Sequence, residues 1–187
     1  LEAGDDANVT SAQAGEPATF KQLDNPMNRL GKPLLLLIAL ACIAMLGVGL
    51  YLQLKLDMLP CPLCILQRYG FAAVALIALI TAALPAAAMR IGAALVCVAS
   101  LSGAGVAIRH LWVKAHPSVS CGIDPLETSL NTILPAQWFP SLFQADGLCT
   151  TEYEPIFGLS IPAWALIWFC VFAMLTGTIS LLQRRDA

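Results

Sequence analysis

Charge is what this chain has least of. Only 12% of its 187 residues are Asp, Glu, Lys or Arg, whereas 58% are hydrophobic, and mean hydropathy is +0.76. A soluble domain carries about 25% charged residues, so that class is excluded and an integral membrane protein is expected. Basic runs are missing as well: none exceeds Arg184-Arg185, the net charge is −2 and the pI is about 5.6, so a nucleic-acid partner is excluded. A second Cys-x-x-Cys knuckle is also lacking. Structural zinc sites usually pair two of them, and here 27 residues (122 to 148) separate Cys121 from Cys149; no metal is expected.

Long apolar runs, by contrast, are abundant. Pro33 to Leu52, Tyr69 to Met89, Ile91 to Ile108 and Ala163 to Leu182 contain no charge. Each is long enough, at about 1.5 Å per residue, to cross or nearly cross a hydrocarbon core of roughly 30 Å. A cleaved signal peptide is a poor account of the first run, which is too long for that role and has no small-x-small site after it. The expected fold is all-α, a membrane four-helix bundle with spans at about 33–52, 65–89, 91–112 and 163–182. Only Arg90 separates the second run from the third, which predicts a very tight turn there. Residues 1–26 lack apolar periodicity and are expected to be a disordered extension foreign to the natural chain, since Met27 resembles a natural start. Residues 27–187 then form one domain.

Four crossings place both termini on one face, and the loops at about 53–64 and 113–162 on the other. Arg29, Lys32, Arg90, Arg184 and Arg185 weakly favour the cytoplasm for the first face. Tyr51, Tyr69, Trp112, Trp138, Tyr153, Trp164 and Trp168 gather toward the second, as an interfacial belt would. Within the long loop, the apolar segment Leu134 to Phe143 is expected to lie on the membrane as a short interfacial helix.

This topology sorts the seven cysteines. Cys42, Cys97 and Cys170 fall inside spans, where a thiol is ordinarily a packing residue. Cys61, Cys64, Cys121 and Cys149 all fall on one face, which argues for two disulfides in an oxidising compartment. Of the three possible pairings, local spacing favours Cys61 with Cys64 and Cys121 with Cys149. Purely structural staples would use the same four residues.

The stretch Pro60-Cys61-Pro62-Leu63-Cys64-Ile65-Leu66-Gln67-Arg68-Tyr69 separates those readings. Pro62 suits the first position of a helix, so Cys61 is expected near the N-cap and Cys64 in the first turn. The positive end of the helix dipole is expected to lower a nearby thiol's pKa. Arg68 follows Cys64 by four residues and so shares its face, and a cation inside a span is costly unless something anionic uses it. His110, at the outer end of the third span, is a candidate donor to a carbonyl oxygen.

Pro-Cys-x-Leu-Cys-Ile-x-x-Arg, His110 with Pro117 and Cys121, then Trp138, Gly147-x-Cys149 and Phe157-Gly158-Leu159-x-x-Pro162-x-Trp164 together resemble the bacterial DsbB family of membrane thiol:quinone oxidoreductases. The resemblance runs in order from residue 27 to 187. It implies an inner-membrane enzyme with cytoplasmic termini and both cysteine pairs periplasmic. Its partner would be a DsbA-like thioredoxin-fold oxidase, and its electron acceptor ubiquinone or menaquinone, drawn from the lipid. On that pattern Cys121 takes the mixed disulfide, Cys149 attacks Cys61, and Cys64 faces the quinone beside Arg68 and His110. A vitamin-K-epoxide-reductase-like enzyme has its loop cysteines before the Cys-x-x-Cys, the reverse of this order. A non-catalytic membrane anchor would need its cysteines only as braces.

Overall fold

The computed structural model describes residues 26–116, 125–151 and 153–185. Four long helices dominate it: α1 (Pro26–Leu56), α2 (Pro62–Ala83), α3 (Met89–Ala115) and α7 (Ile161–Arg185). All four are long and apolar enough to cross a membrane, so the chain is an all-α membrane bundle. Among the described residues the one β feature is an isolated antiparallel bridge between Ile156 and Leu159. The extension at residues 1–25 lies outside the described residues, as does Cys121.

Each helix ends where backbone chemistry stops it. α1 runs one turn beyond the expected Leu52, and the chain leaves it at Asp57, whose φ of 51° is the left-handed conformation Asp tolerates better than most residues. α2 stops earlier than expected, at Ala83. The turn between α2 and α3 is therefore Leu84–Ala88 with a short 3₁₀ segment at Ala86–Ala88, and Arg90 belongs to the first turn of α3. Pro85 is the cause: it cannot donate into the helix, and it forces Leu84 into an extended conformation (φ −79°, ψ 163°).

The bundle forms a chain of neighbours. α1 packs on α2, α2 on α3 and α3 most extensively on α7, while α1 and α7 touch only lightly. Its centre is an aromatic stack of Phe71 on Phe169, with centroids 4.2 Å apart, surrounded by Leu35, Ile38, Val74, Val96 and Phe172. The Phe169 ring fits because Gly70 on α2 and Gly103 on α3 leave it room. Small residues that permit such close approach are the usual means of packing helices in lipid, where the solvent is as apolar as the core.

The long loop contains three short helices rather than one: α4 (Pro125–Thr132), α5 (Leu134–Trp138) and α6 (Pro140–Phe143). Pro135 and Pro140 each stand in the first two positions of a new helix, so a continuous one cannot form. Leu134, Trp138 and Phe139 point outward, while Phe143 turns in and stacks on Tyr69 with centroids 4.5 Å apart.

Gly103→Ala would put a methyl group into the Phe169 ring, whereas Gly105→Ala meets nothing within 4 Å. Overpacking of this kind costs about 1–3 kcal/mol. Gly103→Ala should therefore lower the thermal unfolding midpoint in detergent while Gly105→Ala should not, and equal midpoints would count against this packing.

Candidate functional site

Cys61 is the N-cap of α2. Its backbone is extended (φ −80°, ψ 166°), Pro62 follows as the first helical residue, and the Cys64 amide donates to Cys61 Sγ at 3.4 Å. A thiol thus occupies the place usually taken by a Ser or Asp oxygen. The same turn brings Cys61 Sγ and Cys64 Sγ to 3.2 Å. From α3, His110 reaches both sulfurs, with Nε2 3.7 Å from Cys61 and Nδ1 4.0 Å from Cys64. The imidazole is 97% buried, since only 3% of it remains exposed.

Cys149 arrives from the loop, and main-chain geometry delivers it. The amides of Asp146 and Gly147 both donate to the carbonyl of Pro60, each at 3.1 Å. A side chain at Gly147 would collide with the Leu59 carbonyl, so only glycine allows the loop to lie this close. One residue earlier, Asn131 of α4 clasps Ala145 from both sides, accepting from its N–H at 2.9 Å and donating to its carbonyl at 3.0 Å. Beyond Cys149, the Tyr153 hydroxyl donates to Leu59 at 3.1 Å. Cys61 and Cys149 are each 2% exposed and share a small apolar cluster with Leu63 and Val113.

The Cys61 thiol is held above the ordinary thiol value of 9.0. Hydrogen bonding to Cys149 contributes most, followed by hydrogen bonding to Cys64 and then by burial. Cys61 stands at the positive helix end, yet neighbouring sulfurs take up its proton as a hydrogen bond and its burial leaves little water to stabilise a thiolate.

Arg68 shares the cleft with Cys64, as the helical spacing requires. Its guanidinium donates to Gln53 Oε1 at 2.9 Å, to the Leu142 carbonyl at 2.9 Å and to the Gly49 carbonyl at 3.1 Å. It therefore joins α1, α2 and α6, a strut role that spacing alone does not reveal. All three partners are neutral oxygens, so among the described residues its charge is solvated but not cancelled.

Gln67 belongs to the site too, although the sequence gives it no pattern. It is 4% exposed, and its amide nitrogen lies 3.2 Å from His110 Nδ1. Its one legible signal is being a lone amide within an apolar run. Around these groups lies a cleft of about 300 Å³ between α1 and α7, walled by Met45, Gly49, Leu52, Phe71, Trp164 and Trp168.

A buried dithiol with a third cysteine hydrogen-bonded to it is an arrangement suited to thiol exchange. A family profile described as "Disulfide bond formation protein DsbB" matches residues 31–179. The chain belongs to the DsbB family. It is 64% identical over 143 residues to the Disulfide bond formation protein B of Herminiimonas arsenicoxydans, covering 76% of this chain and 90% of that protein. Identity to the protein of that name from Burkholderia pseudomallei (strain K96243) is 44% over 153 residues, 81% and 90% of the two chains. For Disulfide bond formation protein B 1 of Pseudomonas syringae pv. syringae it is 43% over 155 residues, 82% and 92%. As a DsbB protein, the chain acts in disulfide bond formation.

Two expectations test the site. In the reduced protein, alkylation at Cys61 should stay slow up to and beyond pH 9, and Cys149→Ala should lower the pH at which it accelerates. Peptide mass spectrometry of iodoacetamide labelling against pH measures this; a wild-type midpoint below 9 would contradict the assigned hydrogen bonds. Gly147→Val should detach the loop from Pro60. Losing two backbone hydrogen bonds at about 1 kcal/mol each predicts exchange between the two cysteine pairs slowed by roughly tenfold or more. Rapid-quench trapping of the mixed disulfide would show it, and an unchanged rate would remove the role given to this contact.

Proposed function

We propose that this DsbB protein is a thiol:quinone oxidoreductase of the bacterial inner membrane, with its termini cytoplasmic and its cysteine pairs periplasmic. It reoxidises a periplasmic DsbA-like dithiol oxidase. The observation that carries this reading is the position of Cys61. Its sulfur touches Cys64, Cys149 and His110 at the edge of an apolar cleft that also holds the uncancelled charge of Arg68.

The thiol steps balance without outside help. A partner thiolate attacks Cys121 of the Cys121–Cys149 disulfide, and Cys149 leaves as the thiolate. The second partner thiol then resolves the mixed disulfide and departs oxidised, leaving Cys121 and Cys149 reduced. Cys149 attacks Cys61 of the Cys61–Cys64 disulfide and Cys64 leaves. Attack of Cys121 on Cys149 restores the loop disulfide and leaves Cys61 and Cys64 as the dithiol, carrying two electrons. Each step needs a deprotonated attacker and an accessible sulfur in line.

The cleft suits a quinone as the final acceptor. Its walls are apolar, it lies between α1 and α7, which touch only lightly, and its polar end offers Arg68 and His110 as donors to ring oxygens. When bound, a quinone supplies a lipid-soluble acceptor of two electrons and two protons. Arg68 and His110 would orient it, the aromatic walls would exclude water, and Cys64, the sulfur of the pair less buried than Cys61, would face it.

Purified protein given a reduced thioredoxin-fold dithiol should reduce added ubiquinone or menaquinone, followed by absorbance under anaerobic conditions, and Cys64→Ser should abolish turnover. Arg68→Ala should raise the apparent KM for quinone at least tenfold while the first thiol exchange at Cys121 proceeds near its normal rate. Quinone-independent turnover, or equal loss of both steps, would defeat the assignment.

A further inference from the structure

Cys61, Cys64 and His110 satisfy a second chemistry besides electron transfer. The three ligand atoms, two sulfurs and one imidazole nitrogen, all lie within 4.8 Å of one another. The sulfurs are 3.2 Å apart, and Nε2 is 3.7 Å from Cys61 Sγ. Around a tetrahedral zinc ion, with Zn–S about 2.3 Å and Zn–N about 2.0–2.1 Å, neighbouring ligand atoms stand roughly 3.5–3.8 Å apart. To reach that shape the two sulfurs must move apart by about half an ångström.

We propose that the reduced form of this site binds one thiophilic d¹⁰ cation of the zinc class through Cys61 Sγ, Cys64 Sγ and His110 Nε2, and that the disulfide form does not. Cys61, Cys64 and His110 all line the cleft, as does Cys149. Binding forms two metal–sulfur bonds and one metal–nitrogen bond, releases the two thiol protons and moves no electrons. Two thiolates cancel the charge of a divalent ion, so the buried complex is neutral and adds no net charge beside Arg68. While the ion is held, the sulfurs cannot join, and the inner pair is kept reduced.

Gln67 supports this ligand set from outside it. A metal-binding histidine ordinarily donates its other ring N–H to an acceptor that fixes the ring. Gln67 stands at Nδ1 within 3.2 Å, and turning its amide by 180° presents the oxygen in place of the nitrogen, an exchange of nearly equal shape. Nδ1–H then donates to Gln67 and Nε2 is left with its lone pair toward Cys61. A bare Cys-x-x-Cys would supply only two ligands; the buried imidazole and the amide behind it make this a built site.

The inference rests on the cluster and not on the identity of the electron acceptor, so metal binding is the measurement. The full chain in detergent, reduced and desalted anaerobically, is titrated with Zn²⁺ against a chromophoric chelator, and the complex is examined by X-ray absorption. One zinc per reduced chain is expected, with two sulfurs and an imidazole nitrogen in the first shell, and none in the oxidised protein. Cys121→Ser should retain the site, Cys61→Ser should lose it, His110→Gln should weaken it at least tenfold and Gln67→Leu by about 10–100-fold. Equal binding by the oxidised protein overturns the proposal. So does an all-sulfur shell in the wild-type complex, a result that needs no variant to fold and would mean chelation by thiols alone.

Discussion

The carbonyl of Pro60 is the point on which the redox site depends. It accepts two amides, from Asp146 and Gly147, and so ties a loop more than eighty residues distant in sequence to the entrance of α2. Because Pro60 is followed by Cys61 and Gly147 precedes Cys149 by two, any chain held in this way has its two cysteines adjacent. Each hydrogen bond contributes only about 1 kcal/mol net, so the attachment is strengthened by repetition. Asn131 clasps Ala145 on one side, Tyr153 reaches Leu59 on the other, and the absence of a Cβ at Gly147 lets the two backbones lie in contact. The apolar cluster of Cys61, Leu63, Val113 and Cys149 then covers the join.

Arg68 shows how a charge is kept in an apolar setting without being neutralised. Its donors go to two backbone carbonyls and one amide oxygen on two other helices, α1 and α6. An Asp or Glu in the same place would have stabilised the cation more strongly but also cancelled its field. With neutral partners, the bundle meets the solvation demand of a buried guanidinium and leaves its charge directed at the cleft. The same three bonds draw α1 and α6 against α2, so the residue that lends the cleft its charge also sets its width.

Much of this was legible in the sequence, and what was not has physical causes. Uncharged runs located all four spans because lipid imposes a length. Pro62 located the N-cap at Cys61 because a proline suits only the first turn. The α2–α3 turn was misplaced at Arg90 because charge is a weak terminator, whereas Pro85 removes a donor and fixes its predecessor's backbone. The hydrogen bonding of the Cys61 thiol was not legible because dipole reasoning sees only its own helix, and the groups that hold its proton include one from residue 149. Gln67 and Gly147 act through tertiary contact: a lone amide becomes meaningful only when a histidine from another helix lies against it. Cys121, which topology sorts onto the same face as the other loop cysteines, is outside the described residues.

Burial finally explains why such a site would use two cysteine pairs when one could exchange with a dithiol directly. Cys61 and Cys149 are both almost wholly removed from solvent. A soluble thiol has little access to either sulfur, so direct attack at Cys61 from the aqueous side is hindered. Cys61, meanwhile, touches Cys64 and Cys149 at once, and its sulfur can change partners by side-chain rotation on a backbone fixed by the N-cap and by Pro62. On the proposed function, access and exchange would thereby be separated: the outer pair would meet the partner, and the inner pair the outer pair and the cleft. Which sulfur is deprotonated governs such an exchange, and the hydrogen bonds that converge on Cys61 bear directly on it.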